Sequence, residues 1–234
     1  KDRIRELLSH FHLDEVYNYS FVSLEDARRS GAGSAELVEL ENPINQELRY
    51  LLPNIKGGLL KNITFNSRFF DTIRIFEIGK VFLRKGGAVD PHTKRGFAPA
   101  AFPVDDPRSG VGVEEKLHLG IALSAKKEPL ILELKGIADE MLKGLGITDV
   151  SFVEFGNSLR VESDHRVIAS LNIIRLEKGR TASVAEFDLE KILPLIEEER
   201  EFKPLPKYPA VVRDISILVG SDVRIGGILE TIQE

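Results

Sequence analysis

Apolar residues at Ile4, Leu7, Leu8 and Phe11 recur at the spacing of one helix face and predict a first helix over 4–11. Val16, Tyr17, Tyr19 and Phe21 supply strand-forming side chains and predict a strand over 16–22. A short polar helix is expected from Leu24, capped by Ser23 with Asp26 three residues on and stopped near Gly31. The stripe Ile55, Leu59, Ile63 and Asn66 predicts a longer helix over 53–69, with Pro53 in its first turn, where a missing N–H costs nothing. Gly57 and Gly58 near its start cost about 1 kcal/mol each in a helix, so something there must need a close approach.

Ile73, Ile75, Ile78 and Val81 predict a strand over 72–83 that ends at the Lys85-Gly86-Gly87 turn. Gly86–Glu115, rich in proline and glycine, reads as a long loop. A strand over 117–123 follows. Leu130, Leu134, Ile137, Met141 and Leu145 then mark the clearest helix of the chain. Strands are expected at 151–155, 167–174 and 182–187, and a short helix over 189–196. Residues 197–199 are all glutamate, and Lys203-Pro204-Leu205-Pro206 has the composition of a linker. A strand over 214–219 and a helix from Ile225 close the chain. Helices interspersed with strands that are mostly antiparallel predict an α+β fold, an antiparallel sheet flanked by helices. The expected division is a core over 1–199, a linker over 200–212 and a second element group over 213–234.

With 234 residues the chain is long enough to bury a substantial core. It has no cysteine, which excludes a disulfide framework and a thiolate metal site and fits a reducing cytoplasm. No apolar run approaches membrane-spanning length. The net charge of −5 offers no global attraction to phosphate, so any nucleic-acid contact must be local. The first residue is Lys1, and the chain reads as a piece of a longer polypeptide.

Few side chains suggest chemistry. His10 and His12 stand two apart, a helical spacing that points them to different faces and argues against a shared metal. Asp105 and Asp106 read as solvated loop charges, and Asp188, Glu190 and Lys191 as helix N-terminal charges. The segment GKVFLRKGG lacks the spacing of a phosphate loop.

Six segments together carry a resemblance. DEVYNYSFVS (14–23), ENPINQELRYLLP (41–53), GGLLKNITFNSR (57–68), IRIFEIGKVF (73–82) and LELKGIADEMLKGLGI (132–147) resemble, in order, blocks of the phenylalanyl-tRNA synthetase β-subunit family of bacterial type. KYPAVVRDISILV (207–219) resembles the opening of that family's ferredoxin-like anticodon-binding domain. The resemblance implies a class II aminoacyl-tRNA synthetase-like core followed by the first β-α unit of the ferredoxin-like domain.

It also implies what the core lacks. Active class II members grip ATP with an Arg after the second-motif strand and an Arg in a glycine-rich third motif, because a guanidinium fork pairs two phosphate oxygens. Leu83 and Lys85 stand where active members carry Arg and Glu, and Arg84 faces the other way on a strand. The third-motif region ASVAEFDLEKIL (182–193) has no Arg. The expectation is a catalytically inactive scaffold with no catalytic residue, metal ligand or cofactor site of its own, ATP and Mg²⁺ being implied for the parent complex.

The implied role is to support a catalytic α subunit in an (αβ)₂ assembly and to help place tRNA(Phe) in the cytoplasm. The 53–69 helix is taken as the first-motif helix, with Pro53, Gly57, Gly58, Leu59, Leu60 and Ile63 as candidate interface residues. Lys203, Lys207, Tyr208 and Arg213 are candidate tRNA contacts. The alternative is a stand-alone enzyme that activates a small acid with ATP on a synthetase-derived core.

Overall fold

The computed structural model describes residues 1–33, 36–84, 112–126, 128–164, 166–196, 211, 213–220, 223 and 225–233. The chain divides into two units, Lys1–Glu199 and Arg200–Glu234.

The first unit is built on a seven-stranded sheet in the order β1-β4-β5-β9-β8-β7-β6. Its strands are β1 (Asp14–Glu15), β4 (Thr72–Arg84), β5 (Val113–Ala125), β6 (Ser151–Phe155), β7 (Ser158–Ser163), β8 (Arg166–Arg175) and β9 (Thr181–Asp188). β1 runs parallel to β4, and every other pairing is antiparallel. β2 (Phe21–Val22) and β3 (Tyr50–Leu51) form a separate antiparallel pair. β4 and β5 pair without slippage along their whole length, Thr72 opposite Ala125 and Arg84 opposite Val113.

Alternation along these strands sends side chains to two cores. On one face Phe76, Ile121, Leu123, Leu171 and Phe187 pack against α1 (Asp2–His10), α4 (Ile131–Gly144) and α5 (Leu189–Ile192). On the other, Ile73, Ile75, Ala122 and Val184 pack against Ile55 and α3 (Lys56–Asn66). α2 (Leu24–Arg29) starts as the sequence predicts, with the Ser23 hydroxyl accepting from the Asp26 N–H at 3.0 Å and Gly31 ending it at φ +86°. Among the described residues no helix is long and apolar enough to cross a membrane.

Several boundaries differ from the sequence reading. The predicted strand over 16–22 is a ladder only at its two flanks, because Asn18 bonds to the Glu77 side chain instead of to a strand backbone. The third helix begins at Lys56, since the Ile55 N–H is taken by a side chain of β9. β5 begins at Val113, within the stretch expected to be loop, and the rest of that loop (86–111) lies outside the described residues. β7 was not predicted; its short apolar pair, Leu159 and Val161, reads as a strand only once β6 and β8 flank it. The last helix of the first unit shortens to Leu189–Ile192 and tightens into a 3₁₀ turn at Pro194.

In the second unit α6 (Ile225–Gln233) forms as expected. Residues 213–220 are not strand: a strand is defined by its neighbour, and this segment pairs with none of the described residues.

Candidate functional site

The face of the sheet under α3 carries a line of polar groups within the apolar core. Glu77 of β4 is 4% exposed and Glu186 of β9 is 9% exposed. The Asn18 backbone N–H donates to Glu77 Oε1 at 2.8 Å and its side-chain amide to Oε2 at 2.7 Å. Glu186 Oε1 accepts from the Ile55 N–H at 3.2 Å and lies 2.8 Å from His118 Nδ1, while Lys56 Nζ is 3.5 Å from Oε2. An ionised carboxylate only accepts, so His118 carries its proton on Nδ1.

Burial pushes the Glu186 carboxyl up. The His118 hydrogen bond, the Lys56 charge and the Ile55 N–H outweigh that burial and hold it below the ordinary carboxylate range.

Both carboxylates are therefore spent on holding α3 and the 16–20 segment to the sheet. The space above them is filled as well. A Cβ on Gly120 would stand 2.1 Å from Ile55 Cγ2 and 2.6 Å from Leu59 Cδ1, so α3 lies directly on β5. Mg²⁺–ATP would need unsatisfied carboxylates, free guanidinium groups and an open shelf; the residues on this face do not fit it. Strand alternation puts Leu83 on this face and Arg84 on the opposite one. His10 bonds back to the Glu6 carbonyl and His12 stands exposed at φ +58°. Asp105 and Asp106 lie outside the described residues.

The same packing locates the six candidate interface residues. Leu59 and Ile63 are fully buried, and Pro53 and Leu60 are buried with them, all within this chain. The close approach that Gly57 and Gly58 permit is also internal: a Cβ on Gly57 would meet Ser30 Cβ at 3.2 Å, and one on Gly58 would meet Asn18 Cγ at 2.8 Å. All six take part in packing within this chain, with Gly57 and Gly58 half-buried. Of the candidate nucleic-acid contacts, Arg213 is exposed, and Lys203, Lys207 and Tyr208 lie outside the described residues.

The helix that leads into a sheet-edge strand is α1. It turns through His12 into β1, and Arg5 of α1 grips Glu15 of β1 through both carboxylate oxygens at 2.8 and 3.0 Å. Beyond β1 the chain leaves the ladder. Its inward positions are anchored, with the Val16 N–H on the Phe76 carbonyl at 2.8 Å, Asn18 on Glu77, and the Ser20 carbonyl on the Leu52 N–H at 2.8 Å. Its outward positions are all aromatic: Tyr17 is 75% exposed, Tyr19 81% and Phe21 41%. Sequence reasoning took these rings as strand-formers. The available signal was that the even positions 16, 18, 20 and 22 can all be satisfied inward, which leaves the rings outward.

The family profile of the phenylalanyl tRNA synthetase beta chain CLM domain matches residues 1–184. The phenylalanine–tRNA ligase beta subunit of Geobacillus kaustophilus is 27% identical, covering 99% of this chain and 29% of the relative. That of Fusobacterium nucleatum is 25% identical over the same shares. The chain thus spans about three tenths of the length of the curated relatives it matches. Among solved structures, pyrrolysyl tRNA synthetase of Desulfitobacterium hafniense superposes with a TM-score of 0.61 at 17% identity, covering 82% of this chain and 66% of that one. That likeness is one of fold: a mainly antiparallel sheet flanked by helices. Since the profile runs from the first helix to the last strand of the sheet, the chain belongs to the phenylalanyl tRNA synthetase beta chain CLM domain family.

Proposed function

We propose that this chain is the non-catalytic core of a phenylalanine–tRNA ligase beta subunit, supporting aminoacylation of tRNA(Phe) in the cytoplasm by docking onto the catalytic alpha subunit of an (αβ)₂ enzyme. The observation that carries this reading is the outward stripe Tyr17, Tyr19 and Phe21 on the segment that leads from the edge strand β1 to β2, beside a sheet face already filled by α3. Large rings held on anchored backbone, two of these three with a polar tip, are the residues that dominate permanent interfaces, and such interfaces bury about 2,000 Å² or more. A stand-alone acid-activating enzyme is disfavoured, because the groups it would need on the α3 face are saturated. Placement of tRNA through Arg213 and the residues around it belongs to the same reading.

Co-expression with the alpha subunit from the same source tests it. The wild-type chain is expected to co-purify with alpha, and Tyr17→Ala/Tyr19→Ala to lose at least about thirtyfold in affinity, at about 2 kcal/mol or more for an interface anchor. The melting temperature of the isolated chain should not move, since both rings are exposed. Unchanged co-purification, or pyrophosphate release from ATP by this chain alone with phenylalanine, overturns the proposal.

A further inference from the structure

The end of α3 and the turn into β4 expose three phenylalanines within six residues. Phe65 is 61% exposed, Phe69 71% and Phe70 57%. Unlike Tyr17 and Tyr19, these rings have no polar tip, so each leaves a bare aromatic face in water. The turn that presents them is held firmly. The Phe69 and Phe70 N–H groups donate to the Asn66 carbonyl at 2.9 and 3.1 Å, and the Arg180 guanidinium donates to the carbonyls of Phe70 and Asp71 at 3.2 and 2.6 Å.

Phe65 also forms part of the wall of a cleft of about 480 Å³ between α2, α3 and the turn that joins β8 to β9. The cleft is cationic in a chain that is acidic overall: Arg29, Lys61, Arg68 and Arg175 line it against Asp26 and Glu177. Arg29 is paired with Glu25 at 2.6 Å and Lys61 with Asp26 at 3.6 Å. Arg68 and Arg175 pair with no carboxylate among the described residues, and the Arg68 guanidinium stands 5.9 Å from the Phe65 ring centre.

Bare rings beside unpaired guanidinium groups match a polymer that alternates aromatic faces with negative charge. We propose that the cleft and the Phe65–Phe70 turn bind an unpaired stretch of nucleic acid strand, a base stacking on Phe65 and the flanking phosphates meeting Arg68 and Arg175. The Phe65 and Phe69 rings are 6.3 Å apart and tilted by 58°, so a base stacks on the outer face of one ring instead of entering between them. Stacking requires the base to be free of a duplex, which makes the site selective for single strands. The site is built from other residues than Tyr17 and Tyr19, and it stands whether or not those rings dock a partner.

The test is fluorescence anisotropy of a labelled oligoadenylate titrated with the full chain, repeated at two salt concentrations. Binding is expected to weaken with salt and to be tighter than for the same strand annealed to its complement. Phe65→Leu keeps the apolar bulk but removes the ring, and should weaken binding about fivefold or more, the effect of losing one stacked base. Arg68→Gln and Arg175→Gln should weaken binding and flatten the salt dependence. All three side chains line an open cleft, so thermal melting should be unchanged. Equal affinity for the duplex overturns the proposal, as do wild-type binding by Phe65→Leu and Arg68→Gln, loss of binding in Arg213→Gln alone, and tighter binding of a polyglutamate peptide.

Discussion

Gly120→Ala is the sharpest test of how α3 is seated. Gly120 lies at the centre of β5, opposite Glu77 on β4 and Glu186 on β9. The added Cβ would meet Ile55 Cγ2 at 2.1 Å and Leu59 Cδ1 at 2.6 Å, both well inside contact distance. Neither neighbour can swing away, since both are fully buried and the Ile55 backbone is bonded to Glu186. Overpacking of a close-fitted core costs about 1–3 kcal/mol. Replacing glycine returns about 0.4–1 kcal/mol through the unfolded chain. The clash wins, and the net loss should be about 1–2 kcal/mol, or about 2–8 °C in melting temperature for a unit of this size.

Urea denaturation should show a lower midpoint at unchanged slope. Ile55→Ala alone leaves a cavity and costs about 2–5 kcal/mol. In the double variant the new Cβ occupies part of that cavity, so the two costs should fall short of additive by about 1 kcal/mol or more. A neutral Gly120→Ala, or strict additivity with Ile55→Ala, would refute the direct seating of α3 on β5.

Two further outcomes follow from the same face of the sheet. Glu186 has a folded-state pKa below its unfolded value of about 4.3. Its carboxylate therefore stabilises the fold above that value, and the contribution is lost as pH falls through the lower folded pKa. Glu186→Gln should accordingly be less stable than wild type at neutral pH, and the difference should narrow in urea melts taken progressively below about pH 4; a constant difference refutes the assignment. Leu59→Asp places a carboxylate at a fully buried position, so far-ultraviolet circular dichroism should show loss of the fold instead of a folded chain that fails to bind a partner.

Local signals were enough for much of the architecture. The 3.6-residue stripes of α1 and α4, the Ser23 cap of α2 and the alternation of β4 each arise from residues close in sequence, and each element forms near where that pattern lies. The family resemblance, and the absence of arginine from 182–193, were also visible in the residues alone. What the chain could not disclose by itself was which face each pattern meets. Leu59 and Ile63 form a correct helical stripe, but periodicity says only that a stripe is buried, not whether its cover is this chain's own sheet or another molecule. Tyr17 and Tyr19 alternate like any strand, and became an outward stripe only because Glu77, fifty-nine residues beyond Asn18, takes up the inward side. Gly120 looked unremarkable until α3 came to rest on it. Burial and exposure are properties of pairs of surfaces, and pairs of surfaces distant in sequence exist only once the sheet has assembled.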